Sequence, residues 1–152
     1  MVQNAQSVAR FITELPYCKA LGLTLVKVEA GMAELALPYA RGLVGDPQTG
    51  VMHGGAVSAL MDTTCGAAVV SHDATGLSTA TLDMRVVYLR VARPGRTITA
   101  RAECHRVTRF VAFVRAIAWD EDPNDPVAEV NGTYTVDAVD VPARQDDQDG
   151  RA

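Results

Sequence analysis

A long apolar stretch in the middle of the chain limits what this sequence can fold into. Residues 56–70 carry small and branched apolar side chains on every side, with Ser58 and Asp62 among the few polar interruptions. Such a stretch is typical of a buried helix, because a surface helix keeps one polar face. A helix that is apolar all round must be enclosed, and a strongly curved antiparallel sheet is the element available to enclose it.

Strand patterns fill most of the remaining chain. We expect strands at residues 23–29, 32–37, 77–91, 97–107, 110–119 and 127–136, with a hairpin turn at Ala30 and Gly31. Residues 38–52 are predicted to form an irregular loop, and a helix at about residues 5–15 is expected to end at Pro16. The pattern predicts an α+β fold in one domain over residues 1–137, followed by a polar tail at residues 138–152.

Alternation within residues 77–91 predicts which side chains share a face. One set of alternate positions is Ala80, Leu82, Met84, Val86 and Tyr88, and the other is Thr79, Thr81, Asp83 and Arg85. Because successive side chains of a strand point to opposite faces, the pattern predicts that Thr81 faces away from Met84.

The overall charge and the cysteine pattern exclude some classes of partner and site. The formal net charge is −4, so we expect neither nucleic acid nor a membrane surface as a partner. No signal-peptide pattern opens the chain, and its longest apolar stretch is too short to span a bilayer. Cys18, Cys65 and Cys104 lack the spacing of a zinc site or of a disulfide framework. These features predict a cytoplasmic protein with buried thiols and no metal.

The acid inside the apolar stretch predicts a reactive site, because burying a carboxyl without a partner costs several kcal/mol. Nine residues before Asp62, His53-Gly54-Gly55 opens the same helix, whose first N–H groups are free to hold a developing negative charge. Two structural alternatives stand beside this hypothesis. Asp62 could be bonded by neighbouring groups, and His53 is more typical of a capping group than of a general base.

Three features together resemble one protein family. They are the segment Gly50-Val51-Met52-His53-Gly54-Gly55-Ala56, Asp62 nine residues after His53, and the strand Thr81-Leu82-Asp83-Met84 with Val86 and Tyr88. This combination resembles the hotdog fold and, more narrowly, the phenylacetate-degradation (PaaI-type) acyl-CoA thioesterases, over roughly residues 17–136. The resemblance implies an antiparallel sheet wrapped around one central helix. It also implies hydrolysis of an acyl-CoA thioester without a cofactor, since coenzyme A is part of the substrate.

The resemblance also assigns roles to residues. Gly54 would donate its backbone N–H to the thioester carbonyl. Asp62 would act as the nucleophile or as the general base for water, and Thr81 would help to orient that water. Further residues expected to lie against the substrate are His53, Gly55, Gln48 and Ser58.

One position departs from the family pattern. Many members have an asparagine six residues before the histidine, where this chain has Pro47. Gln48 or Asp46 beside it could take over the contact with water or substrate, or the contact could be missing.

Helix geometry separates the donor from the acid. Gly54, Ser58 and Asp62 lie along one side of the helix, but Gly54 and Asp62 are about 12 Å apart along its axis. A reacting carbonyl must lie about 3 Å from its donor and within about 3.5 Å of the attacking atom. One helix cannot meet both conditions, so we predict that the donor and the acid come from two copies of the chain in an obligatory homodimer. The resemblance adds a tetramer built from two dimers.

Basic residues near strand ends are candidates for binding the phosphates of coenzyme A. The candidates are Arg90, Arg93, Arg96, Arg106 and Arg109. Of these, we predict that Arg90 and Arg96 bind the phosphates. Arginines at strand ends are often simply solvated, so each assignment stands beside a structural alternative.

Two other functions fit the same fold. A hotdog hydratase or dehydratase would pair a histidine with the acid, and no matching histidine follows Asp62 on the helix. A non-catalytic module that only binds acyl-CoA would not need an acid at this position. The sequence leaves the acyl group open: aryl-acetyl, short aliphatic, medium-chain and hydroxylated aromatic thioesters all fit.

Overall fold

The N-terminal segment agrees with the prediction only in part. The computed structural model describes residues 8–10 and 14–136, so the tail predicted at 138–152 and part of the helix predicted at 5–15 lie outside the described residues. Residues 8–10 and Glu14 are helical. Pro16 was expected only to end a helix, but it also begins another, α1 (Pro16–Leu21). Proline suits a first helical position because its fixed φ is already helical and its missing N–H would have no partner there.

Eight strands follow α1 in the described part of the chain. They are β1 (Thr24–Glu29), β2 (Met32–Leu37), β3 (Val44–Asp46), β4 (Val51–Met52), β5 (Thr81–Tyr88), β6 (Ile98–Val107), β7 (Val111–Trp119) and β8 (Ala128–Thr135). Six of them form one antiparallel sheet in the order β1-β2-β6-β7-β8-β5. The short strands β3 and β4 pair with each other, within the segment that the sequence predicts to be irregular. Strands this short show no periodicity, which is why the pattern does not reveal them.

One long helix packs against the main sheet. This helix, α2 (Gly54–Ser71), begins at His53 as its N-cap and is buried along most of its length, as the sequence predicts. It contacts all six strands of the sheet, so the predicted α+β fold is confirmed. No helix of the described residues is long and apolar enough to cross a membrane.

Small side chains bring α2 and the sheet close together. The buried residues of β6 and β7 include Ala100, Ala102, Cys104, Ala112, Val114, Ala116 and Ala118. They belong to one core with fully enclosed residues of α2, among them Leu60 and Met61, and α2 contacts both strands. Fully burying a leucine or methionine side chain contributes about 1.5–3 kcal/mol. This burial holds the helix in place and so fixes the position of the polar residues that it carries.

A shift of strand register reverses one prediction. Alternation predicts that Thr81 faces away from Met84, but the pairing of β5 with β8 shifts between Thr81 and Asp83. An irregularity of this kind, as in a β-bulge, changes which side chains face inward. The Thr81 hydroxyl therefore reaches α2, while Met84 also packs on the core. Alternation alone cannot detect such a shift, because it has no signature in a single sequence.

Candidate active site

Asp62 holds its carboxylate between α2 and the sheet. It is half-buried, and its Oδ1 accepts hydrogen bonds from Thr81 Oγ1 at 2.7 Å and from the Tyr134 hydroxyl at 3.0 Å. No group of the described residues donates a hydrogen bond to Oδ2. The acid is therefore more accessible than its apolar sequence neighbours suggest, and one of its oxygens is left for a ligand.

A cleft of about 240 Å³ opens beside this carboxylate. Its walls include Leu15 before α1, Tyr17 on α1, Gly66 on α2 and Ala80 before β5, and Asp62 is the one charged residue among the described residues that line it. The cleft therefore suits an uncharged group. A larger groove of about 400 Å³ lies where Glu103 and Arg115 form an ion pair, and it contains none of the predicted site residues.

Tyr134 is a site residue that the sequence does not reveal. It lies on β8, is 1% exposed, and is directly opposite Thr81 of β5 in the sheet register. Burial raises the pKa of its hydroxyl, and the nearby Cys65 and Asp62 raise the pKa further, so the group stays protonated. Alternation on β8 places Tyr134 inward, but only the knowledge that β8 pairs with β5 would bring it to Asp62.

The first turn of α2 presents one free backbone donor. His53 Nδ1 accepts the Gly55 N–H at 2.9 Å, and His53 O accepts the Ala56 N–H at 2.9 Å. The Gly54 N–H has no acceptor among the described residues. The capping role expected of His53 is confirmed, and Gly54 is the glycine whose N–H is free for an incoming oxygen.

Gly55 takes part in the N-terminal cap of α2. Its N–H is occupied by His53, so it cannot also bind a substrate oxygen. A Cβ at position 55 would lie 2.8 Å from His53 Nδ1, so a side chain there would push the His53 ring out of its capping position. The two adjacent glycines therefore have different tasks: Gly55 makes room for the cap, and Gly54 keeps a free donor.

Tyr88 lies at this end of α2, a contact that its position in the strand of the family resemblance does not reveal. Its hydroxyl lies 2.5 Å from Gly54 O and 2.6 Å from Ser58 Oγ. Because the Tyr88 proton is donated to the carbonyl, Ser58 donates in the second bond. Ser58 is thus bonded to Tyr88 and not to Asp62.

The turn between β3 and β4 does not reach the Asp62 cleft of its own chain. Asp46 accepts hydrogen bonds from the Thr49 hydroxyl at 2.7 Å and from the Gln48 N–H at 3.0 Å. These hydrogen bonds lower the pKa of Asp46, and the bond from Thr49 has the largest effect. The Asp46 carboxylate therefore stabilises the turn. Gln48 is exposed and does not line the cleft, so its contact with substrate stays a prediction that requires a second copy of the chain.

Both arginines predicted to bind phosphates are held in ion pairs. Arg90 donates to both oxygens of Asp120, at 3.0 and 2.6 Å, and its Nε lies 3.0 Å from Asp125 Oδ2. It also donates to backbone carbonyls, so its guanidinium is occupied within the chain, contrary to the prediction. Arg96 lies 2.9 Å from Glu121 and is 59% exposed, which leaves it as a candidate.

The cysteines do not supply a nucleophile. All three are buried and free, as predicted, and burial raises the pKa of Cys65 to about 12 and that of Cys104 to about 11. Burial also raises the pKa of Cys18, which lines the Asp62 cleft. Since the thiolate is the nucleophilic form, these thiols are unreactive at neutral pH. Across the described residues, no three His, Cys, Asp or Glu side chains are grouped to hold a metal ion.

Comparison with known proteins identifies the family. Residues 49–127, which include Gly54, Asp62 and Thr81, match the family model described as the Thioesterase superfamily. The chain is 30% identical over 139 residues to the medium/long-chain acyl-CoA thioesterase YigI of Salmonella typhimurium, covering 83% of this chain and 88% of that protein. The chain belongs to the thioesterase superfamily.

Solved structures share the architecture. A Pseudomonas aeruginosa protein superposes with a TM-score of 0.78 at 39% identity, covering 87% of this chain and 98% of the other. The phenylacetic acid degradation protein PaaI of Thermus thermophilus, solved as a mutant, superposes with a TM-score of 0.70 at 27% identity, covering 80% and 99%. The predicted resemblance to PaaI-type hotdog thioesterases is confirmed. Tyr134 lies beyond the residues that the family model matches.

Proposed function

We propose that this protein hydrolyses acyl-CoA thioesters to a free acid and coenzyme A. The observation that carries the proposal is the Asp62 carboxylate, which keeps one oxygen unbonded and is the one charged group among the described residues that line its cleft. The free N–H of Gly54 supports it, because a thioester carbonyl needs a donor as it gains negative charge. The name of the Salmonella relative supports the same substrate class.

The acid and the amide have complementary parts in the hydrolysis. Asp62 Oδ2 either removes a proton from a water molecule that attacks the carbonyl carbon or attacks that carbon itself. In both cases the carbonyl oxygen becomes an oxyanion, which accepts a hydrogen bond from the Gly54 N–H. The carbon–sulfur bond then breaks, and the sulfur of coenzyme A leaves with the bonding electrons and takes up a proton. Where Asp62 itself has attacked, the acyl group stays bound to its carboxylate as an anhydride, which a water molecule then hydrolyses to the free acid and the restored carboxylate.

The reaction requires a second copy of the chain. Gly54 and Asp62 lie on one helix, about 12 Å apart along its axis, so they cannot both reach one carbonyl. The edge strand β5 favours a dimer, because within the described part of the chain it pairs only with β8 and because it carries the exposed side chains of Leu82, Val87 and Tyr88. An apolar edge strand left open is prone to pair with another chain. We infer that Asp62 of one protomer acts with the partner's Gly54.

The acyl group is proposed to occupy the Asp62 cleft. Leu15, Tyr17 and Ala80 give it apolar walls, and the Salmonella relative is named for medium- and long-chain substrates. We therefore propose an aliphatic chain of at least medium length. Arg96 remains the proposed ligand for the phosphates of coenzyme A. Arg90 is not proposed for this role, because it is ion-paired with Asp120.

A thiol-release assay over a panel of acyl-CoA substrates tests this function. We expect the wild type to release thiol fastest from medium or long chains. Asp62→Ala and Asp62→Asn are expected to lower kcat by about 10²-fold or more. Asp73→Asn is the matched control, because Asp73 is an exposed acid just past the end of α2, and it is expected to leave kcat unchanged. Near wild-type turnover by Asp62→Ala would reject the assignment.

Removing a single N–H tests the amide donor. Gly54→Pro deletes it at the first position of α2, where proline is well tolerated after an extended residue such as His53. Gly54→Ala is the control, since it keeps the N–H and adds the same Cβ, 3.2 Å from the Tyr88 hydroxyl. We expect kcat to be about 10²-fold lower in Gly54→Pro than in Gly54→Ala. Equal rates would exclude the donor role.

Mixing two inactive variants tests the shared site. A dimer of one Asp62→Ala chain and one Gly54→Pro chain contains one site in which both groups are intact. Random exchange makes about half of the dimers mixed, so about a quarter of wild-type activity is expected to return. A site contained in one chain predicts no recovery.

A further inference from the structure

We infer that Tyr134 is a positioning residue for Asp62: its buried hydroxyl, together with that of Thr81, binds Oδ1 and so directs the free Oδ2 toward the cleft. The inference rests on the proposed function, since positioning matters only where Asp62 reacts with the substrate.

The two donors reach Asp62 as a cross-strand pair. Thr81 of β5 and Tyr134 of β8 are register partners, and opposite residues of an antiparallel pair have Cβ atoms about 4.5–5.5 Å apart on one face. Their hydroxyls therefore converge on one oxygen of α2, at 2.7 and 3.0 Å. The register shift after Thr81 allows this pair to face the helix while Met84 also packs inward.

A glycine makes room for the tyrosine ring. Gly132 lies two residues before Tyr134 on β8, and a Cβ at this position would lie 3.1 Å from Tyr134 Cε2 and 3.1 Å from Asp83 O. Any side chain at position 132 would push on the ring or on the backbone of β5. The ring fills this space at 1% exposure, so packing on all sides fixes the hydroxyl in place.

The tyrosine proton has one strong acceptor. The Tyr134 oxygen lies 3.0 Å from Asp62 Oδ1 and 3.7 Å from Met84 Sδ. A thioether sulfur is a weak acceptor, so the proton is donated to the carboxylate. Because burial raises the pKa of Tyr134, this donor is not lost by ionisation at neutral pH.

Two bonds to the same atom make the two carboxylate oxygens inequivalent. The terminal torsion of an aspartate has broad and roughly two-fold wells, so a carboxylate held only by the exposed Thr81 would exchange its oxygens readily. Tyr134 restricts this rotation from the buried side. Because reaction rates depend strongly on the orientation of the attacking atom, we expect Tyr134 to contribute to kcat and not to substrate binding.

Tyr134→Phe tests the inference, since phenylalanine keeps the ring and deletes only the hydroxyl. We expect kcat to fall about tenfold, equal to about 1.4 kcal/mol, with KM within about twofold of wild type. Tyr39→Phe is the matched control, because it also deletes a hydroxyl, one that donates to Gly50 O at 2.9 Å, and its kcat is expected to change by less than about twofold. Rates are expressed per folded molecule, measured by circular dichroism, so that a loss of stability cannot be mistaken for a loss of positioning.

A double-mutant cycle separates positioning from a general structural role. In the Asp62→Asn background, Tyr134→Phe is expected to change the residual rate by less than about twofold, because no carboxylate remains to be oriented. Wild-type kcat in Tyr134→Phe, or the same tenfold loss in both backgrounds, overturns the inference and leaves the proposed function intact. Undiminished turnover by Asp62→Ala instead rejects the proposed function itself.

Discussion

Asp62 and Asp120 are two acids of one chain that meet different partners. Asp62 receives both of its hydrogen bonds from uncharged hydroxyls, and both reach Oδ1. The Asp120 side chain has no exposed surface, and both of its oxygens are bonded, by the Arg90 guanidinium and the Arg93 N–H. Asp120 therefore has no oxygen left for a substrate, whereas Asp62 keeps one.

The partners also differ in charge. The hydrogen bonds from Arg90, more than any other cause, lower the pKa of Asp120 to about 2, and the charge of this acid is balanced inside the chain. Hydroxyl donors orient Asp62 without supplying a balancing charge. A free oxygen and uncharged donors therefore mark the reactive acid, whereas burial alone would select Asp120.

The largest expected effect comes from making the same substitution at both acids. We expect Asp62→Asn to lower kcat by about 10²-fold or more while changing the free energy of unfolding by less than about 1 kcal/mol. Asp120→Asn is expected to lower the free energy of unfolding by about 3 kcal/mol, because it removes the buried carboxylate that pairs with Arg90 and leaves only the exposed Asp125, while kcat per folded molecule stays near wild type. Urea denaturation and thiol release measure both quantities. A stable Asp120→Asn enzyme with a large loss of kcat would contradict the assignment of Asp120 as a structural acid.

Acid is expected to remove the contribution of Asp120. Its pKa is lowered from 3.8 to about 2 in the folded chain, so the stabilisation is present above pH 4, roughly, and is lost as the pH falls toward about 2. We expect the difference in unfolding free energy between wild type and Asp120→Asn to shrink by about 2 kcal/mol over this range. Urea denaturation of both proteins at several pH values measures it. A difference that stays constant into strong acid would contradict the ion-pair assignment.

The smallest expected effect concerns Gly66, which lines the cleft one turn after Asp62. A Cβ at this position would meet Thr79 Cγ2 at 3.8 Å, an ordinary contact, and glycine inside a helix costs about 0.5–1 kcal/mol relative to alanine. Gly66→Ala is therefore expected to raise the free energy of unfolding by about that amount. Gly132→Ala is the contrasting control, because its Cβ would crowd Asp83 O and is expected to destabilise. A destabilised Gly66→Ala would mean that another surface, such as the partner chain, fills this part of the cleft.

Sequence patterns predict the elements that depend on local periodicity. The bounds of β2 and the start of α2 at His53 agree with the prediction, because alternation and a helix-opening histidine with two glycines are local signals. The prediction fails where local signals are ambiguous: Pro16 begins a helix as well as ending one, and β3 and β4 are too short to show a period.

The candidate site divides in the same way. The sequence alone identifies Asp62, because a carboxyl within an apolar helix carries a desolvation cost that follows from its immediate neighbours. Tyr134, which lies 72 residues from Asp62, occupies an ordinary inward position of a strand, and nothing near it in the sequence points to an acid. For Arg90 the sequence predicts a role that the structure does not support. Its partner Asp120 lies 30 residues away in sequence, so the sequence around Arg90 shows an arginine without a nearby acid.

By itself, the sequence determined that a long apolar helix must be enclosed, that this helix carries one acid, and that glycines open it. These properties follow from hydrophobicity and desolvation, which act on each residue wherever its neighbours lie. Only the tertiary structure decided which oxygen of Asp62 is free and which arginine is already paired. Those outcomes depend on the register between strands distant in the chain, where a shift of one residue turns a side chain to the other face of the sheet.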